Sequence, residues 1–230
     1  MTTFPINLVL KGRSVVVVGG GVVGGRKVRL LVHAGAEVTV VDPRPLSELS
    51  LPAKAVAHVA SVFEGEHLLG ATLAFAATND PVVNARVVQE ARARGVLVNR
   101  ADAPGESDFH VPATLTRGEL VVSVSSGGTC PGFSQVMKWR IEALFGEEVG
   151  AALEIVAAAR RWLMEQQEGW VSRGSYRPLV TDGFLRACRR GDTHEIERLL
   201  AEALGEGCTL EELGVVPQSS EPRVDRTEGR

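Results

Sequence analysis

"VVVVGGGVVGGRK", residues 15–27, decides how this chain is read. Four valines run into a glycine cluster, and an Arg-Lys pair follows. A short, β-branched apolar run of this kind belongs to a strand buried on both faces of a parallel sheet. Gly19, Gly21 and Gly24 then fall at the G-x-G-x-x-G spacing, directly after the strand and at the start of a helical pattern. The first glycine permits a tight turn. The second lets backbone approach a pyrophosphate, and the third lets helix and strand pack closely. The free N–H groups of the helix N-terminus would face the pyrophosphate. Val22 and Val23 lie in the same turn and are expected beside the cofactor.

Working outward, Val28, Leu31 and Val32 repeat at helical spacing, and Gly35 ends that helix. "EVTVVD" is a second strand, and Asp42 closes it about 20 residues after the glycine loop. A carboxylate there would accept hydrogen bonds from both ribose hydroxyls and repel a 2′-phosphate, so NAD is expected rather than NADP. Arg44, two residues on, argues mildly the other way. "AVAHVAS", "ATLAFAAT" and "GVLVNRAD" read as the third to fifth strands. Between the last two, "DPVVNARVVQEARARG" reads as a helix with Pro81 in its first turn and Gly95 past its end. Strands alternating with helices predict an α/β, doubly wound parallel sheet. Arg26 and Lys27 read either as solvated first-turn residues or as companions of an anion at the helix N-terminus.

The rhythm changes after about residue 113. "ATLTRGELVVSVSS" predicts a turn at Arg117-Gly118 followed by a strand, and "CPGFSQVMKWRIEALFG" a helix. From Glu147 the chain is helical in character. Its last helix opens with Asp192 and Glu195 at capping-box spacing. Residues 217–230 contain a single aliphatic residue, and disorder is expected there.

Composition narrows the function classes. The chain has 230 residues, 44% hydrophobic, with a formal charge of −3, so a nucleic-acid surface is not expected. No apolar run approaches the roughly 18 residues of a membrane span. Nothing at the start reads as a signal peptide. Cys130, Cys188 and Cys208 lie too far apart for a disulfide framework or a metal cluster, and a reducing cytoplasm is the expected home.

Two further clusters carry chemistry. Asp102 follows the fifth strand, at the edge where open α/β sheets bind ligands. It reads equally as a carboxylate placed to accept a proton or as an ordinary turn residue. His110, alone between Phe109 and Val111, reads as a half-buried histidine. Ser125, Ser126, Gly127, Gly128 and Thr129 could form a nest of donors for carboxylates or phosphates, or simply cap the following helix. Arg117 and Lys138 would supply cations to a carboxylate-rich ligand.

Together, "FPINLVLKGRSVVVVGGGVVGGRKVRLLVHAGAEVTVV", "AATNDPVVNARVVQEARARGVLVNRADAP", "DFHVPATLTRGELVVSVSSGGTCP" and "WRIEAL" give the chain a family likeness over about residues 4–145. It resembles the precorrin-2 dehydrogenase family of siroheme biosynthesis, which includes dehydrogenase/ferrochelatases and the N-terminal module of siroheme synthases. The resemblance implies an NAD-binding Rossmann domain over 1–113 and a dimerisation segment over 114–146 that pairs with its twin in a homodimer. It further implies a helical substrate-covering domain over 147–216, followed by the tail. The implied reaction oxidises precorrin-2 to sirohydrochlorin: a hydride passes to NAD⁺ and a proton leaves the macrocycle. By the same resemblance Asp102 is the general base, residues 125–129 line the tetrapyrrole cleft, and Thr78, Asn79 and Asp80 form the turn beside the cofactor. Relatives often carry a small or apolar residue at the position of Arg100, and many an aliphatic one at His110. Two other readings stand beside this one. One is a bifunctional dehydrogenase and sirohydrochlorin ferrochelatase that reuses Asp102. The other is a non-catalytic NAD-sensing module.

Overall fold

The computed structural model describes residues 3–52, 56–166 and 176–216. The tail expected to be disordered lies outside them. The chain divides into two compact units: residues 1–111 with 125–130, and residues 112–124 with 131–230.

The first unit is a five-stranded parallel sheet in the order β3-β2-β1-β4-β5. Its strands are β1 (Ser14–Val18), β2 (Glu37–Val41), β3 (Val56–Val59), β4 (Leu73–Ala76) and β5 (Leu97–Arg100). β1 is central because its valines can be buried on both faces. Val15 to Val18 are at most 2% exposed, and each such burial contributes about 1.5 kcal/mol or more. Val15 and Val17 pack under helix α1 (Val22–His33) with Val28 and Leu31. Val16 and Val18 face the other way, toward Val87, Val88 and Ala91 of helix α2 (Pro81–Ala93). Strand order reverses at β1, so the carboxyl ends of β1 and β4 open a crevice.

The expected helix signals act as read. Asp80 caps α2, its Oδ1 accepting from the amide of Val82 at 2.8 Å, and Pro81 follows at the first helical position. Past the helix, Gly95 adopts φ +69. The amides of Gly95 and Val96 return to the carbonyls of Arg92 and Ala91, closing a Schellman motif. β5 is the edge strand, and the chain covers it by doubling back. The amide of Asp108 donates to Val98 O at 2.8 Å, and Asp108 Oδ2 accepts from the amide of Val98 at 3.1 Å.

The second unit begins with an antiparallel hairpin, β6 (Ala113–Arg117) and β7 (Leu120–Val124). Its turn is Gly118-Glu119, one residue later than expected. "ATLTR", read as leading into the turn, is itself a strand. Helix α3 (Pro131–Glu142) packs on this hairpin. α4 (Glu148–Gln166), α5 (Asp182–Arg190) and α6 (Thr193–Leu204) enclose a separate core around Ile155, Phe184, Ile196 and Leu200. Asp192 caps α6 by accepting from the amide of Glu195 at 3.1 Å, while the Glu195 carboxylate turns to Arg198 rather than back to the cap.

The approach of α1 to β1 depends on Gly24. A Cβ there would overlap the carbonyl oxygen of Gly19, which is backbone and cannot step aside. Gly24→Ala is therefore expected to lower the unfolding free energy by about 1–3 kcal/mol through overpacking, measured by urea denaturation. An unchanged midpoint would show that the helix can move off the strand freely.

Candidate functional site

β1 delivers the chain to Gly19, which turns at φ +100 under the β4 end. A Cβ at Gly19 would lie 2.5 Å from Ala77 O, whereas one at Gly21 would meet nothing nearer than an Arg44 nitrogen at 3.9 Å. The floor of the crevice beside Gly21 is therefore open. Gly21 also caps α1 with no side-chain hydrogen bond, and the first turn of the helix carries no acidic residue. Uncapped amides at an open helix N-terminus suit a pyrophosphate. A cleft of about 710 Å³ surrounds them, lined in part by Val22, Val23, Asp42, Arg44, Thr78, Asn79 and Asp80. These residues fit a dinucleotide.

Asp42 follows the last residue of β2 and is only 4% exposed. Its Oδ2 accepts from the amide of Gly20 at 2.8 Å and from Arg44 Nη2 at 2.7 Å. Its Oδ1 accepts from the amide and Nε of Arg44, both at 3.0 Å. Burial pushes the carboxyl up, but the Arg44 guanidinium and the two amides outweigh it and bring it down to about 2. Sequence spacing leaves Asp42 free to receive a ribose. The fold gives its oxygens to the glycine loop and to Arg44.

Lys27 also departs from both readings of the sequence. It is neither solvated nor at the helix N-terminus. It reaches back over the sheet, its Nζ donating to Asn99 Oδ1 at 2.9 Å and lying 5.1 Å from the centroid of the Phe75 ring. Burial, with a smaller contribution from Arg26, pushes the ammonium down.

The turn after β4 is tied to the end of β5 by a residue that sequence reading passed over. Asn84, 1% exposed on α2, accepts from the hydroxyl and amide of Thr78 at 2.7 and 3.1 Å. Its Nδ2 donates to Thr78 O at 3.1 Å and to Asp102 Oδ1 at 2.9 Å. An amide among the apolar residues of a helix's inner face was the available signal. Asp102 is further held by Arg100, whose Nε donates to Oδ1 at 3.0 Å and Nη2 to Oδ2 at 2.8 Å. The Arg100 guanidinium, against the smaller effect of burial, keeps the Asp102 carboxyl below the usual carboxylate range, and Asn84 adds to this.

Residues 125–130 cluster with the first unit. The Ser125 hydroxyl accepts from the amide of Gly127, and that of Ser126 from the amide of Cys130, both at 3.1 Å. Part of the expected nest therefore caps its own loop. Gly127 and Gly128 have φ +62 and +81, and a Cβ at Gly128 would sit 3.3 Å from His110 Cε1. The imidazole thus lies against the loop. Arg117 and Lys138, expected as cations for a ligand, are taken up inside the second unit. Arg117 donates to Phe145 O at 3.1 Å and pairs with Glu142 and Glu147 at 3.5 Å, and Lys138 pairs with Glu142 at 2.8 Å. Among the described residues no cluster of His, Cys, Asp and Glu could hold a metal ion, and no helix is long and apolar enough to cross a membrane.

Residues 6–113 match the family described as putative NAD(P)-binding. The chain is 45% identical over 208 residues to the siroheme synthase of Methylobacillus flagellatus, covering 87% of this chain and 44% of that protein. It is 36% identical over 225 residues to the siroheme synthase of Nitrosococcus oceani, covering 96% and 46%. It therefore spans less than half the length of these relatives. Among solved structures, SirC, a precorrin-2 dehydrogenase, shares the fold with a TM-score of 0.67 and 23% identity, over 87% of this chain and 98% of that one. The chain is thus similar to siroheme synthases over under half of their length, and its residues 6–113 carry the putative NAD(P)-binding match.

Proposed function

We propose that this chain oxidises precorrin-2 to sirohydrochlorin with NAD⁺. The observation that carries the reading is the hydrogen-bonded run Thr78–Asn84–Asp102, which links the turn lining the cofactor cleft to a carboxylate at the end of the neighbouring strand. Bound NAD⁺ supplies the hydride acceptor. The protein's part is to position the substrate and to take a proton. The oxidation removes two electrons, so one hydrogen departs as hydride and the charge is balanced by a proton. Asp102 is the group assigned to that proton. It has 35% of its side chain exposed and an ionised carboxylate.

The Ser125–Thr129 loop and His110 are assigned to the substrate's carboxylates. Hydroxyl hydrogens and glycine amides are donors suited to them. Arg117 and Lys138 are assigned to holding the hairpin and α3 together. NAD is favoured over NADP because Asp42 keeps a negative charge near the ribose and holds Arg44 in a bidentate pair, which leaves its guanidinium engaged. A homodimer through 114–146 is favoured by Val121, Phe133, Val136, Trp139 and Leu144, all exposed on the hairpin, on α3 and just beyond it. A two-stranded hairpin alone is marginally stable. A cytoplasmic site fits three cysteines that are all free.

An anaerobic assay with precorrin-2 and NAD⁺, followed by absorbance, tests the activity directly, and subsequent Fe²⁺ addition tests for metal insertion. Asp102→Asn is expected to lower kcat by about 10²- to 10⁴-fold with NAD⁺ affinity nearly unchanged. A near-normal kcat would remove Asp102 as the base. Asp42→Ala frees Arg44 to meet a 2′-phosphate, so the ratio of kcat/KM for NAD⁺ over NADP⁺ should fall. Equal use of both cofactors by the unsubstituted protein would sink that assignment. Sedimentation should give twice the chain mass, and a monomer would count against the interface.

A further inference from the structure

Arg100 is 7% exposed on β5, and its side chain is directed by more than the residue it pairs with. Nη2 donates to the carbonyl of Pro81, at the start of α2, at 3.0 Å, and Nη1 to Glu106 Oε2 at 2.7 Å. The strand, the helix start and the Pro104–Glu106 turn thus fix the plane of the guanidinium independently of Asp102. The remaining edge of the fork presents Nε and Nη2 side by side to the two oxygens of Asp102, at 3.0 and 2.8 Å. Asn84 takes the second lone pair of Oδ1. The carboxylate also interacts with the Asp102 backbone amide, and the side chain remains 35% exposed.

We propose that Arg100 is a positioning residue for the chemistry at Asp102: its anchored fork holds the carboxylate in one orientation, so that its exposed part faces the substrate proton. The proposal rests on the reading that Asp102 is the base. A lysine could supply the charge but not the planar two-bond contact. The arrangement favours orientation over basicity, because a carboxylate held strongly anionic is the weaker proton acceptor.

The charged groups around Asp102 give the sign of the pH effect. Arg100 comes from β5 and Glu106 from the adjoining turn. From α2, Asp80 is occupied by the amides of Val82 and Val83, and Arg92 is paired with Asp108. Without Arg100, Asp102 and Glu106 lose the cation they share, and Asp102 gains a proton more readily. In the intact protein the carboxylate stays ionised well into acid. In Arg100→Met the acid limb of the kcat profile should therefore move to higher pH.

The test compares the full-length protein with Arg100→Met, Arg100→Lys and Asp102→Asn. Anaerobic pH–rate profiles with precorrin-2 and NAD⁺ are measured together with a ¹³C NMR titration of the Asp102 carboxyl. Arg100→Met should lower the plateau of kcat by about tenfold or more, move the acid limb upward, and change NAD⁺ affinity less than twofold. Arg100→Lys should return the limb toward its original position without restoring the plateau. An Arg100→Lys protein with the full plateau overturns the proposal. So does an unchanged Asp102 titration in Arg100→Met. If Arg100→Met fails to fold, the kcat plateau of Arg100→Lys decides alone: a reduced plateau supports the proposal and a full one overturns it. Near-normal turnover by Asp102→Asn removes the base reading itself, whatever the Arg100 variants do.

Discussion

The contact between Gly24 and the carbonyl of Gly19 sets the rest of the first unit in place. Only without a Cβ at Gly24 can α1 lie this close over β1. That closeness buries Val28 and Leu31 against Val15 and Val17. It also points the unpaired amides of the helix into the crevice where the sheet order reverses. Helix packing and the open helix N-terminus thus rest on the same pair of glycines, which is why a stabilising contact and the anion site proposed for the cofactor can share one turn.

Around that frame the charges of the first unit are arranged in short, closed sets. Asp42 holds Gly20 and Arg44 at one end of the crevice. Arg100 holds Asp102, Glu106 and Pro81 beyond the end of β5. Among the described residues every buried side-chain nitrogen and oxygen has a partner. In a medium of low dielectric an unpartnered charge is costly. The pairing therefore preserves the fold as well as tuning the groups assigned to chemistry.

Much of the fold was legible because it is written in local spacing. The five strands of the sheet, the helices ended by Gly35 and Gly95, the Pro81 start of α2 and the cap at Asp192 all come from residues within a few positions of one another. The hairpin was only half legible. "ATLTR" is polar and has no continuous apolar run, and it becomes a strand because β7 pairs with it. The glycine loop and the turn at Thr78–Asp80 were likewise readable, since both are sequence motifs at strand ends.

The sequence by itself determined the alternation of strands and helices through β5, the parallel sheet and the glycine turn at the end of β1. Periodicity, caps and glycine spacing act over distances that the chain itself fixes. Only the tertiary structure decided what the charged side chains do there. Lys27, in the second turn of α1, reaches Asn99, 72 residues away, and Asn84 links Thr78, 6 residues before it, to Asp102, 18 residues after it. Asp42 gives its oxygens to Arg44, and Arg117 and Lys138 go to Glu142. A charge's partner is set by which surfaces the sheet and helices bring within about 3 Å, and no spacing in the sequence records that distance.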